Sequence, residues 1–227
     1  MNFPLQDSWF DAADRGLGLD WRALLDWMNA HPALHPVFSL AYLSFAPQAI
    51  VVTLILSYCG RLKQLRLVVL ALMFAALITI AVSAVLPAEG VWGHLGLSAV
   101  DYPHIAPVTQ ELHLRTFFGL RHGSFRALMA QHAEGIITFP SLHAAYAFIF
   151  ILALWPVRIL RWFAIALNAT MLIATPVEGG HYFIDVIAGI VVAVVCWRVA
   201  LRVAEHAARR GAVAAGPIAK PGLVAGD

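Results

Sequence analysis

The chain has 227 residues, of which 61% are hydrophobic and 12% charged, with a net charge of +2. Soluble domains average about 45–50% apolar and about 25% charged residues, so this composition excludes an ordinary soluble domain and predicts one all-α integral membrane bundle. The basic residues form no patch interleaved with aromatic side chains, so no nucleic-acid partner is expected. Cys59 and Cys196 lie in or beside apolar runs without CxxC spacing, which argues against a disulfide or a cysteine metal site.

Residues 1–36 form a polar, acidic segment before the first apolar run, and we expect them to lie at the outer membrane interface. This is not the layout of a cleavable signal peptide, so the segment is expected in the mature protein. Residues 20–30 predict a helix that Asp20 caps and a His-Pro pair ends. Its apolar face comprises Trp21, Leu24, Leu25 and Met28. Two interpretations fit equally: an interfacial helix with Trp21 and Trp27 at the headgroup level, or a packing helix that covers the bundle.

Five apolar stretches are long enough, or nearly so, to cross a hydrocarbon core of about 30 Å, which needs about 20 helical residues. They cover residues 37–58, 66–86, 139–156, 159–176 and 182–204. Pro47 interrupts the first stretch and predicts a kink there. The third and fourth are short and also fit re-entrant segments buried in the bundle. We therefore predict a transmembrane bundle over residues 37–204 with about five transmembrane helices, six being the alternative, and with additional interfacial helices.

The loop 87–138 is too long to be a bare connector in a compact bundle. Its apolar clusters predict short helices that roof the outer surface of the bundle. They are Leu112, Leu114, Phe117 and Phe118, followed by Phe125, Leu128 and Met129. The last segment, residues 205–227, becomes rich in small residues, glycine and proline from Gly211, which predicts a disordered tail.

Basic residues are divided unevenly among the loops, and this division predicts the orientation in the membrane. Five crossings place ten of the fifteen lysines and arginines on one side. These are Arg61, Lys63, Arg66, Arg158, Arg161, Arg198, Arg202, Arg209, Arg210 and Lys220. The positive-inside rule puts that side, with the C-terminal tail, in the cytoplasm. The segment 1–36 and the loop 87–138 then lie on the periplasmic or extracellular side of an inner or plasma membrane.

Two short motifs carry the chemistry that the sequence suggests. Residues 139–143 read Phe-Pro-Ser-Leu-His and residues 179–185 read Gly-Gly-His-Tyr-Phe-Ile-Asp, and each motif opens an apolar run. His181 and Asp185 are four apart and share a helical face, where a carboxylate fixes the imidazole tautomer and favours positive charge on the ring. The predicted topology brings His143 and His181 to the same outer surface. This favours a catalytic site over the alternative of two unrelated interfacial histidines that cap helices.

At these residues the chain resembles the type 2 phosphatidic acid phosphatase superfamily of membrane lipid-phosphate phosphatases. The superfamily's second motif, Pro-Ser-x-His, is matched at residues 140–143. Its third motif, Ser-Arg-x5-His-x3-Asp, is matched at His181 and Asp185, but Thr175 stands where the arginine would be. The missing arginine, together with Phe139, resembles the branch that contains inositol phosphorylceramide synthase.

The resemblance covers roughly residues 111–195 and implies an enzyme that needs neither metal nor cofactor and acts on a phospholipid or another lipid phosphate in the membrane. In this scheme His181 attacks phosphorus and forms a phosphohistidine, and Asp185 orients the ring. His143 protonates the leaving alkoxide and later takes a proton from water or from an alcohol acceptor. Neither motif offers a carboxylate-rich cage for a metal ion.

The resemblance defines the phosphate-binding groups less closely, because the superfamily's first motif, Lys-x6-Arg-Pro, has no clear counterpart. Arg115 and Arg121 are six apart but lack the following proline. The candidate phosphate-binding residues are Ser141, Arg121, Arg115, His113, Gly180 and Thr175. The alternative for the arginines is ordinary contact with lipid headgroups. Glu178 would repel a phosphate dianion, so we expect it to contact an acceptor or to pair with an arginine.

Three functions remain open from the sequence. A lipid-phosphate phosphatase is slightly ahead, because phosphomonoester hydrolysis is the commonest activity in the superfamily. A phospho-headgroup transferase of the inositol phosphorylceramide synthase type, which would act in sphingolipid metabolism, differs only in that an alcohol replaces water. A non-catalytic lipid-binding or lipid-translocating protein of the same fold is the rival class, and the presence of both histidines and Asp185 argues against it.

Overall fold

The computed structural model describes residues 3–97, 100–105, 110–124 and 137–214. Within these residues every regular element is helical, which confirms the predicted all-α membrane bundle. The described α-helices, in chain order, are α1 Asp7–Gly16, α2 Trp21–Ala30, α3 His35–Leu43, α4 Phe45–Tyr58, α5 Leu62–Val85, α6 Val91–His94, α7 Gln110–Arg121, α8 Leu142–Leu154, α9 Arg158–Glu178 and α10 Phe183–Ala214. A 3-10 turn, Pro32–Leu34, links α2 to α3.

Three of these helices, α5, α9 and α10, are long and apolar enough to cross a membrane. A fourth crossing is formed if the chain from the 3-10 turn through α3 and α4 is taken as one span bent by 55°. The crossing predicted at 139–156 corresponds to α8, whose 13 residues reach only about 20 Å. By length, the described chain therefore supports three or four complete spans. Helix α8 is a shorter element that packs among α4, α5, α9 and α10.

The bend between α3 and α4 lies at Ser44, close to the Pro47 that the sequence marked as a kink. A proline ring clashes with the carbonyl four residues earlier, here that of Leu43, which is the last residue of α3. Pro47 itself stands in the first turn of α4, where backbone amides have no helical partner to lose. The Ser44 hydroxyl donates to the Ala41 carbonyl at 2.6 Å and so satisfies part of the broken helix end.

Small residues set the close packing of α8 at the centre of the bundle. Its fully buried alanines are Ala144, Ala145, Ala147 and Ala153. Small side chains let the backbones of membrane helices approach each other closely. Where α10 meets α8, a side chain on Gly189 would overlap the Ser141 carbonyl and lie 2.9 Å from the Ala144 Cβ. Glycine at this position therefore allows the two motif-bearing helices to meet.

The N-terminal segment packs on the bundle through α1 and α2, together with the short helix α6. Their shared core comprises Phe10, Trp21, Leu25, Met28 and Trp92. The helix predicted at 20–30 is confirmed as α2, and the Asp20 carboxylate accepts from the Ala23 amide at 3.1 Å. Trp21 is only 5% exposed, whereas Trp27 is 45% exposed. The structure therefore favours the packing interpretation of α2, in which Trp21 is buried and Trp27 is left exposed.

The structure differs from the sequence prediction at the C-terminal tail. Helix α10 continues to Ala214, so residues 205–214 are helical although a disordered tail was predicted from 205. These positions are rich in alanine and arginine, which favour helix, and the extension of an existing helix needs no new nucleus. In the loop 87–138, α6 and α7 are two of the expected short helices. The cluster of Phe125, Leu128 and Met129, like residues 215–227, lies outside the described residues.

Candidate active site

The two motifs meet where α8 and α10 begin. The Ser141 amide donates to the Asp185 carbonyl at 3.0 Å, which ties the start of α8 to the first turn of α10. His143 and His181 are near enough to influence each other electrostatically. The structure thus brings together Ser141, His143, His181 and Asp185, the residues that the two motifs contributed to the candidate site.

His181 is held by the carboxylate four residues further along the chain. Its Nδ1 lies 3.3 Å from Asp185 Oδ2, which also accepts from the Tyr182 amide at 2.9 Å. This arrangement favours the tautomer with the ring proton on Nδ1, which leaves the lone pair of Nε2 for attack. The Ser141 hydroxyl lies 3.4 Å from Nε2 and accepts from the Ala144 amide at 3.3 Å. Ser141 therefore caps α8 and faces the candidate nucleophile at the same time.

Burial decides the ionisation of this histidine. His181 is 3% exposed, and Asp185 is fully buried. Burial lowers the pKa of His181 to about 4, although a hydrogen bond with the Thr138 backbone opposes the shift. The sequence suggested that Asp185 would favour the charged ring, but the loss of hydration outweighs that effect. At neutral pH the ring is uncharged, as a nucleophile must be.

His143, the second residue of α8, lies among aromatic side chains. Its ring stacks on Tyr42 with centroids 4.0 Å apart and planes at 10°, and it packs on Phe45 at 4.2 Å and 34°. Tyr42 stands near the end of α3 and Phe45 begins α4, so both come from the bent helix pair rather than from either motif. Neither was predicted from the sequence, because an aromatic residue within an apolar run carries no chemical signal of its own.

The loop between α9 and α10 is shaped by its two glycines. A side chain on Gly179 would lie 2.7 Å from both the His181 ring and the Tyr42 hydroxyl. Gly180 has a φ of +65°, a left-handed conformation that favours glycine. Its carbonyl accepts from the Val91 amide at 3.0 Å, which joins the loop to the start of α6. The two glycines therefore allow the loop that carries His181 to turn and to pack closely against Tyr42 and α6.

Two indoles satisfy the C-terminal end of α9, from which this loop departs. Trp21 Nε1 donates to the Pro176 carbonyl at 3.3 Å, and Trp92 Nε1 donates to the Val177 carbonyl at 3.2 Å. The last four carbonyls of a helix have no partner within it, so these bonds satisfy buried acceptors. Helices α2 and α6 thereby hold the end of α9 that leads to His181.

Helix α1 directs a buried carboxylate at the same loop. Asp7 accepts from the Tyr182 hydroxyl at 3.0 Å, and from the amides of Glu89 and Gly90 at 3.0 and 2.9 Å. Burial, and then the charge of Asp7, raise the pKa of Tyr182, so the phenol remains a hydrogen-bond donor. Asp7 therefore joins the start of α6 to the residue that follows His181.

A second carboxylate of α1 caps α10. Asp14 accepts from the amides of Phe183 and Ile184 at 2.7 and 2.8 Å. Burial raises the pKa of Asp14, and the two amide bonds oppose that shift. From the sequence these aspartates were counted only as acidic charge on the outer side. The available signal was their position, since Asp7, Phe10 and Asp14 share one helical face and a carboxylate beside a buried phenylalanine needs a partner.

A comparison with protein families decides to which family this site belongs. The model of the PAP2 superfamily matches residues 8–199, from α1 into α10. The chain belongs to the PAP2 superfamily. No curated protein and no solved structure matches it. Membership confirms the superfamily resemblance of the two motifs, and it indicates phosphatase or phosphotransferase activity on lipid phosphates.

The cationic candidates for phosphate binding in this PAP2 protein lie on α7. The Arg121 guanidinium donates to the Phe3 carbonyl at 2.7 Å, and Arg115 is exposed. The backbone of His113 belongs to α7, but its side chain lies outside the described residues. Within the described part of the chain, no hydrogen bond or ion pair joins either arginine to the two motifs.

Neutral donors lie beside the candidate nucleophile. The Ser141 hydroxyl faces His181 Nε2 directly. The Gly180 amide and the first two amides of α8 make no hydrogen bond with any described residue. The Thr175 hydroxyl, by contrast, donates to the Met171 carbonyl at 2.7 Å within α9, so its proton is already used.

Glu178, which precedes the glycine pair, is fully buried against α3. Its Oε1 accepts from the Ser39 hydroxyl at 2.9 Å and lies 3.4 Å from His35 Nε2. The Ser39 hydroxyl also lies 3.2 Å from His35 Nδ1. The sequence did not predict this contact with α3. Among the described residues, no group of three His, Cys, Asp or Glu side chains is placed to hold a metal ion.

Proposed function

We propose that this PAP2 protein is a membrane enzyme that hydrolyses or transfers a lipid-linked phosphate through a phosphohistidine on His181. One observation carries the proposal: His181 Nδ1 lies 3.3 Å from Asp185, while its Nε2 faces Ser141, which stands two residues before His143. An oriented nucleophile beside a second titratable group is the arrangement that covalent catalysis needs. A non-catalytic lipid-binding or lipid-translocating protein of the same fold would not need an oriented histidine.

In the first step, neutral His181 attacks phosphorus in line with the bond to the leaving oxygen. The Nε2–P bond forms while the P–O bond breaks, and the departing alkoxide takes a proton from His143. Asp185 stabilises the positive charge that develops on the attacked ring. The low pKa of His181, about 4, keeps the nucleophile unprotonated at neutral pH.

In the second step, water or an alcohol attacks the phosphohistidine and gives its proton to His143. The P–Nε2 bond breaks, and His181 leaves as a neutral imidazole. Water makes the protein a phosphatase, which we place first because this is the commonest activity in the superfamily. An alcohol acceptor makes it a phospho-headgroup transferase, which is favoured by Phe139 and by Thr175 in place of arginine, both as in the inositol phosphorylceramide synthase branch.

Phosphoryl transfer needs donors for the three equatorial oxygens of the phosphate. We assign this role first to the Ser141 hydroxyl, the Gly180 amide and the free amides at the start of α8, because a helix N-terminus favours anions. Arg115, Arg121 and His113 of α7 are the further candidates, and they supply the positive charge that neutral donors lack. Thr175 takes part only if its hydroxyl leaves the carbonyl that it now bonds.

We place the active site on the periplasmic or extracellular face of an inner or plasma membrane, with the C-terminus in the cytoplasm. The positive-inside rule supports this orientation. Helix α5 begins beside Arg61 and α9 begins at Arg158; α9 ends at the loop of His181, and the segment after α5 bonds to Gly180 through the Val91 amide. In this orientation α8 returns the chain from the site to Arg158, although its 13 residues are shorter than a complete span. The site therefore lies at the helix ends opposite to the basic loops.

The decisive test is to trap the phosphoenzyme. Purified protein in detergent is mixed briefly with phosphatidic acid radiolabelled on phosphorus and then denatured. We expect a radiolabel on the protein, and this label should survive base and be released by acid, as a phosphohistidine requires. The His181→Ala variant, shown to have the melting temperature of the wild type, should carry no label. Mass spectrometry after incubation with a mixed lipid extract separates free phosphate from a new phospholipid as the product. If folded wild-type protein yields neither label nor product, the lipid-binding alternative is favoured and the enzymatic proposal fails.

A further inference from the structure

The ring of His143 is enclosed by aromatic side chains that belong to no motif. Its centroid lies 4.0 Å from that of Tyr42 and 4.2 Å from that of Phe45, with interplanar angles of 10° and 34°. Two rings this close to the imidazole cannot share one of its faces without overlapping, so His143 is sandwiched between them. Both faces of the imidazole are then occupied, and its edge, which carries the two nitrogens, is left to meet a substrate.

The break at Ser44 lets two helices contribute to this sandwich. Tyr42 precedes the break and Phe45 follows it, and the two helix axes differ by 55°. Helix α3 packs mainly against α9, whereas α4 packs against α8 and α5. The Phe45 ring also stacks on Tyr146, about one turn beyond His143 on α8, at 5.0 Å. The two partners of His143 are therefore braced from different sides of the bundle.

Tyr42 also reaches the loop that carries the nucleophile. Its hydroxyl and the His181 ring each lie 2.7 Å from the position that a side chain on Gly179 would take. One tyrosine thus stacks on the ring of His143 and borders the backbone that leads to His181.

We propose that Tyr42 and Phe45 are positioning residues that hold the His143 ring in the orientation needed to protonate the leaving group. This inference rests on the proposed function, in which His143 is the general acid. Face-to-face aromatic contact fixes the plane of the ring and therefore the directions in which its two nitrogens point. A general acid contributes about 10²–10⁴-fold to a rate, and a misplaced one loses part of that factor.

The test compares two phosphate monoesters that differ in their need for a general acid. Dioctanoyl phosphatidic acid releases an alkoxide, which must be protonated, whereas an octyl-substituted nitrophenyl phosphate releases a stable phenolate. Tyr42→Leu and Phe45→Leu should each lower kcat for the phosphatidic acid by about 10–100-fold, with KM changed less than about threefold. On the nitrophenyl ester the same variants should lose less than about threefold. Tyr42→Phe keeps the stacked ring and should retain roughly half or more of the activity on both esters.

Phe150→Leu is the matched control, because Phe150 is a fully buried aromatic residue of α8 about two turns beyond His143. It should lower the melting temperature without a loss that depends on the leaving group. An equal loss on both esters in Tyr42→Leu, or a selective loss in the control, would indicate general loosening of the core and overturn the proposal. Undiminished turnover of phosphatidic acid by Tyr42→Leu would overturn it as well. If wild-type protein turns over neither ester, the phosphatase proposal itself has failed and the positioning role falls with it.

Discussion

Replacement of Asp14 tests how far the N-terminal helix controls the candidate site. In Asp14→Ala, the amides of Phe183 and Ile184 lose a buried carboxylate that accepts from them at 2.7 and 2.8 Å. Loss of a cap costs about 0.5–2 kcal/mol, and a buried amide left without a partner costs about 1–3 kcal/mol. The unfavourable burial of the carboxylate, which raises the pKa of Asp14, offsets part of this loss. We therefore expect a net cost of about 2–3 kcal/mol for alanine, and about 1 kcal/mol for Asp14→Asn, which keeps one oxygen acceptor.

The assay is thermal unfolding of the purified variants in one detergent, with turnover of phosphatidic acid measured alongside. A loss of about 2–3 kcal/mol lowers Tm by roughly 4–12 °C for a chain of this size. Asp11→Ala is the matched control, because Asp11 lies on the same helix and pairs at the surface with Arg15, an interaction worth at most about 1 kcal/mol. Turnover of Asp14→Ala should fall even well below its Tm, since the first turn of α10 carries Asp185. Equal melting temperatures for Asp14→Ala and Asp11→Ala would refute the reasoning.

Four further predictions concern the chemistry and the orientation of the site. Asp185→Asn should lower turnover by about 10²–10⁴-fold, because it removes the orientation and charge stabilisation of the ring but keeps the nucleophile. The comparable substitution in the serine-protease triad sets the upper end of this range, and a loss below about tenfold would contradict the role of Asp185. The scheme needs neutral His181 and protonated His143, and burial lowers their pKa values to about 4 and about 3. The kcat/KM, corrected for substrate ionisation, should therefore be largest between these two values and fall on both sides, and a maximum near pH 6.5 would contradict this. In a Cys59→Ser background, Ser124→Cys should react with a membrane-impermeant maleimide in intact cells and Ala212→Cys should not; the reverse pattern would move the site to the cytoplasm. Chelation with EDTA should leave turnover nearly unchanged, because in the proposed scheme protein donors and no metal ion meet the phosphate charge. Complete loss of turnover that a divalent cation restores would refute this scheme.

The predicted length of α8 was wrong because hydropathy was given more weight than the residues that begin and end a helix. The apolar run 139–156 predicted a crossing, yet α8 covers only Leu142–Leu154. Ser141 caps the helix, so the residues before it lie outside. Pro156 has no backbone N–H to donate to the carbonyl four residues earlier, so the helix ends at Leu154 although Trp155 keeps helical backbone angles. Hydropathy alone counts such flanking residues as part of the span, because apolar character does not reveal where helical hydrogen bonding begins and ends.

The sequence by itself determined the fold class and the candidate reacting residues. A chain this apolar satisfies its backbone in a membrane by forming helices, so the all-α bundle followed from composition. The pairing of His181 with Asp185 was predicted from a spacing of four on one helix, but His181 lies in the loop before α10, and the local turn in which Asp185 also accepts from the Tyr182 amide brings the two together. The start of α8 next to Ser141 and His143 followed from the proline and serine that open its apolar run.

Only the tertiary structure decided what surrounds those residues. The cap that Asp14 supplies to Phe183 joins positions 169 apart, and the bond from Trp21 to the Pro176 carbonyl joins positions 155 apart. No local period links such pairs, and helices that are apolar on every side do not reveal which face meets which neighbour. Burial likewise reversed the expected ionisation of His181, because desolvation depends on every element packed around the ring and not on one carboxylate four residues away.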